Sequence, residues 1–169
     1  MPNAIFSLAL IDIVEQDEVL RYFAEALQKI QHRHGDWTII YKSFQLHSAG
    51  SECEYFYSEV HLERPLQHLF IHTKTLKGLG GVFKDELWFK KVLGTINLEK
   101  KAHIWFYSGD IEEFNEHLKW LQRRSIEPLF PASVKIHCLD VFDLLYPPEE
   151  EEMDLWLENI LKASLMHVQ

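Results

Sequence analysis

Residues 4–13 read AIFSLALIDI, an almost unbroken apolar run that meets acids at Asp12 and Glu15. The run is far shorter than the ~20 residues a membrane-spanning helix needs. It also lacks the alternation of a strand with one wet face. A strand buried on both faces fits it best, and such a strand obliges the chain to place other elements above and below it. That requirement points to an α/β architecture with helices layered on a sheet. No basic residue precedes the run and no small-residue cleavage pattern follows it. A signal peptide is therefore not expected, and the expected compartment is the cytoplasm.

The period changes next. Val19, Leu20, Phe23, Ala26, Leu27 and Ile30 recur at 3.6-residue spacing and predict a helix over 15–33. Acids open this segment and Lys29, His32, Arg33 and His34 close it, complementing the helix dipole, with Gly35 as the expected C′ residue. Segments 37–47, 54–63 and 67–74 are rich in β-branched and aromatic residues. The short breaks between them predict an antiparallel meander. A short helix over 83–93 follows the glycines of GLGG (78–81), then a strand at 102–108, a helix at 110–124, a strand at 132–140 and a helix at 149–166. The order β-α-β-β-β-α-β-α-β-α predicts one α/β domain spanning 1–169, with a mixed sheet of about six strands. That length buries a core without covalent staples.

Charge narrows the choice of partners. The chain holds 26 acidic and 17 basic residues, a formal charge of −9. A surface of that sign repels a phosphate backbone, so nucleic acid is not an expected partner, and no segment suits a membrane. Cys53 and Cys138 lie far apart outside any C-x-x-C frame and are expected as reduced thiols.

Catalytic and cofactor patterns are thin. LKGLGGVFKDE has the glycines of a phosphate loop without its G-K-[ST] ending. In YSGDIEEF, Asp110, Glu112 and Glu113 already occupy the positive end of a helix. No cofactor is expected. His137 and Cys138 are adjacent on a strand, so they face opposite ways and cannot act together. His32, His34 and Asp36 have H-x-H-x-D spacing, but at a helix end residues two apart point roughly 200° from each other. The arrangement that would suit a metal is His61, His68 and His72 on the meander, since His68 and His72 share a strand face. It would support a small metal-dependent hydrolase. The helix–meander–helix–strand order also resembles the restriction-endonuclease-like core, although SEVHLE and FIHTKT lack the E-x-K or D-x-K that such sites use.

The α-β-β-β-α-β order with a terminal helix, acidic charge and small size resembles the class I chaperones of bacterial type III secretion. The likeness covers residues 15–107 and the last helix, and is one of topology without a shared motif. It implies a role in binding other proteins.

Amphipathic patterns agree with that class. Trp120 points roughly 160° away from the stripe of Ile111, Phe114, Leu118 and Leu121. In YPPEEEEMDLWLENILKAS the prolines and acids make a helix start. Met153, Trp156, Leu157, Ile160 and Leu161 form its apolar stripe, while Leu155 and Met166 fall on the other side. A non-enzymatic interaction protein is the expected function: a chaperone, an adaptor or an acidic antagonist of a basic partner. It would use Trp120, Leu155 and Met166 to bind another protein or a second copy of itself.

Overall fold

The computed structural model describes residues 4–12, 17–45, 64–73, 96–108, 112, 115–116, 118–119, 123, 132–140 and 152–166. Its elements are β1 (Ala4–Asp12), α1 (Asp17–Arg33), β2 (Trp37–Gln45), β3 (Leu66–Thr73), β4 (Leu98–Ser108), β5 (Lys135–Asp140) and α2 (Glu152–Met166). The five strands form one sheet in the order β2-β1-β3-β4-β5, and every pairing is parallel. The α/β architecture is the one the sequence predicts.

The pairing within it is different. Segments 37–47 and 67–74 are not neighbours in a meander; β2 and β3 both pair with β1, one on each edge. The physical reason lies in β1 itself. A strand that is apolar on both faces is most stable at the centre of a sheet, where both of its edges also find partners. Segment 54–63 lies outside the described residues. The likeness to the chaperones and to the nuclease core needs a meander, and the parallel pairing of β2 and β3 with opposite edges of β1 stands in its place.

One sheet face carries α1 and α2. Phe6, Leu8, Leu10, Phe70 and Tyr107 pack there with Val19, Phe23, Ala26, Leu27 and Ile30 of α1 and with Met153, Leu157 and Leu161 of α2. On the opposite face Ala9, Ile11, Leu69, Ile71, Ala102, Ile104 and Phe106 are also fully buried. The described residues between Glu112 and Arg123 are helical, with Leu118 buried. Lys119 is near enough for its charge to act on the Cys138 thiol, which points to this second face.

Three side chains do work that backbone does elsewhere. Direct β1–β3 pairing begins at Leu8 and His68. Ahead of it the Gln67 amide extends the ladder, accepting from the Ser7 N–H and donating to the Ile5 carbonyl, each at 3.3 Å. Ser7 Oγ donates to the Pro65 carbonyl at 2.6 Å. Pro65 has no N–H to offer a partner strand, so side chains complete the edge. At the other end of α1, Gln31 donates to the carbonyls of His34 and Trp37 and accepts from the Ile39 N–H. Gly35 has no left-handed φ, so the expected glycine C′ cap is replaced by this glutamine clasp.

Arg33 and His34 at the end of α1 join it to α2. Arg33 donates to Asp154 at 2.8 Å and to Glu158 at 3.1 Å, and His34 Nε2 lies 2.7 Å from Glu158. His34 also stacks on Trp37 at 3.7 Å. The H-x-H-x-D histidines thus belong to a helix terminus, with His32 exposed.

Candidate functional site

The strand order reverses at β1: the chain moves from β1 outward to β2, then returns to the far side of β1 with β3. In such sheets a crevice opens outside the carboxyl ends of the two strands at the reversal. Asp12 is the last residue of β1, and His72 stands beside it in register on β3. Tyr107 of β4 is next to His72 in the same row. All three are buried. A polar row has therefore been taken out of water at the place where this topology leaves room for a ligand.

The chemistry of the row follows from its donors. His72 Nδ1 lies 3.0 Å from Asp12 Oδ1, with side-chain exposures of 2% and 0%. The Nδ1–H of the ring donates to this carboxylate oxygen, which leaves Nε2 on the side of the ring away from Asp12. Tyr107 packs edge-on against Phe23 and Trp156. Its hydroxyl is buried with no hydrogen-bond partner among the described residues, and burial raises its pKa well above the usual tyrosine value. Orphaned buried hydroxyls are uncommon and mark strain or an absent partner.

Further along the same face, three histidines line up across β3, β4 and β5. His68, His103 and His137 have ring centroids 5.2 Å apart pairwise along the row. His103 Nδ1 and His137 Nε2 are 2.9 Å apart and share one hydrogen, while His137 stacks on Trp105 at 3.8 Å. His68 is fully specified. The Trp105 indole donates to its Nδ1 at 3.1 Å, so its own hydrogen is on Nε2 and is given to Ser164 Oγ at 2.8 Å. Ser164 in turn donates to the Ile160 carbonyl. Burial, helped by the charges of His103 and His137, lowers the His68 pKa to about 3.

The residues singled out from sequence are dispersed. His68 and His72 share a face as expected, but Phe70 separates them and each is committed to a different partner. His61 and Trp120 lie outside the described residues. Among the described residues no group of three His, Cys, Asp or Glu side chains is placed to hold a metal. Leu155 projects from α2 and is 47% exposed. Met166 ends that helix. Cys138 is a free, half-buried thiol whose pKa burial raises to about 11.

Sequence reasoning missed Asp12, Tyr107, His103 and His137. One signal for Asp12 was present, an acid closing an apolar run. The row it belongs to exists only once the strand order is known.

Comparison with known proteins gives no match: no family model matches the chain, and no curated protein or solved structure is similar to it. Among the described residues no helix is long and apolar enough to cross a membrane.

Proposed function

We propose that the chain binds a small polar ligand at the carboxyl edge of its sheet, with His72 as the group that exchanges a proton or hydrogen bond with it. The buried Asp12–His72 pair at the strand-order reversal carries this reading. Asp12 fixes the ring and its tautomer, as an orienting carboxylate does for a working histidine. The unpartnered Tyr107 hydroxyl supplies a second polar group in the same row. The free Cys138 thiol suits a cytoplasmic setting.

The test is a thermal-shift panel of nucleotides, sugar phosphates and di- and tricarboxylates on the full chain. At least one compound is expected to stabilise the wild type and not His72→Gln. A panel with no such compound would overturn the reading.

A second reading keeps the class expected from the sequence, an interaction protein binding another protein or its own copy. The exposed Leu155 on an otherwise core-forming helix favours it, and the charge of −9 would speed encounter with a basic partner. Leu155→Asp should then abolish association seen by light scattering or capture, with unchanged stability. Association that survives the substitution counts against it.

A further inference from the structure

A cavity of about 460 Å³ lies over the first halves of β4 and β5, away from the strand-order reversal; His68, Glu99, Lys101, His103, Ser133 and Lys135 are among its lining residues. This volume falls in the range of small-molecule sites. Lys101 and His103 alternate along β4, and Lys135 stands beside His103 in register on β5. The two lysines therefore rise from the same face of adjacent strands. Neither takes part in an ion pair among the described residues.

Lys101 and Lys135 thus bring two cationic side chains to one concavity in a chain whose formal charge is −9. The charge of Lys135 is felt at His137, whose pKa is lowered first by burial and then by this lysine. The floor between them is rigid. His68 is held by Trp105 and Ser164, and His103 by His137. A preorganised floor reduces the ordering cost of binding. Glu99 is the one acid of the lining among the described residues and works against an anion.

We infer that this cavity binds an anionic small molecule, a phosphate or carboxylate, through Lys101 and Lys135. The site is separate from the carboxyl-edge site and does not depend on it.

The full chain is titrated with inorganic phosphate and, separately, with citrate at constant ionic strength, following amide and histidine resonances by NMR. Saturable shifts at His103, Ser133 and Lys135 are expected with at least one anion. The arm that responds assigns the ligand to the phosphate or the carboxylate class. Lys101→Gln and Lys135→Gln should each weaken binding roughly tenfold, the scale of one charge-assisted contact. Glu99→Gln should tighten it. Both lysines are exposed, so these variants should keep the wild-type fold, which their spectra report directly. Absence of saturation with both anions overturns the inference. So does binding that the lysine variants leave unchanged, because the anion would then lie elsewhere.

Discussion

Trp105 Nε1 donates a hydrogen bond to His68 Nδ1 across 3.1 Å, and an indole can only donate. The pair therefore sets the tautomer of a buried histidine, and protonating His68 would break the contact. Its pKa of about 3 lies below the ordinary 6.5, so between those values the unfolded chain binds the extra proton. Stability from this group is complete above about 6.5 and falls as pH drops toward 3, by about 1.4 kcal/mol per pH unit within the window. Urea denaturation at stepped pH should show this slope. His68→Gln should flatten it.

Asp12 and His72 should be energetically coupled. A double-mutant cycle with Asp12→Ala and His72→Ala is expected to give an interaction of about 1–3 kcal/mol, since the two side chains share a buried hydrogen bond that either single change removes. A cycle closing near zero would mean that the 3.0 Å contact carries no energy.

Tyr107→Phe removes a buried hydroxyl that has no partner among the described residues. Stability should rise by about 1 kcal/mol, read by chemical denaturation. A ligand that stabilises the wild type through this hydroxyl should stabilise the variant less, which separates a functional group from a packing accident.

Arg33→Ala would leave Asp154 and Glu158 nearly out of water, with His34 and Lys162 as the remaining cationic partners of Glu158 among the described residues. Arg33 itself is 38% exposed, so the loss should fall between surface and buried pairs, at about 1–2 kcal/mol. Burial alone would raise the Glu158 pKa, but hydrogen bonds from His34 and Arg33 outweigh it and hold the value below the ordinary one. The stabilisation is thus present above the usual glutamate range and disappears as pH falls through the lowered value. Wild type and variant should converge in acid.

Leu155 and Leu157 test the two sides of α2. Leu157 is 1% exposed and Leu155 is 47% exposed. Leu157→Ala should cost about 2–5 kcal/mol by cavity formation, whereas Leu155→Ala should stay within about 0.5 kcal/mol. For the same reason deleting α2 should unfold the chain, because Met153, Leu157 and Leu161 belong to the common core.

What could be read from sequence was local. The AIFSLALIDI run gave a strand buried on both faces, and the Val19–Ile30 spacing gave α1 to its last residue, with the start two residues early. The terminal helix and its outward Leu155 were visible in the same way. Strand pairing was not, because composition says which segments extend and not which edges meet. Asp12 and His72 are 60 residues apart, and only the parallel register of β1 and β3 brings them together. The Trp105–His68 bond is equally non-local, so a histidine that seemed a metal ligand proves to have both ring nitrogens occupied.

The central position of β1 also constrains how the chain becomes ordered. β1 can pair early with β2, which follows it closely through α1. Its other edge stays open until residues 66–73 have emerged, and nothing nearer in the chain satisfies it among the described residues. Parallel pairing across such separations is slow. The nascent protein thus carries its most apolar strand half-finished, and the speed at which β3 arrives decides whether that edge meets its own partner or a neighbour's.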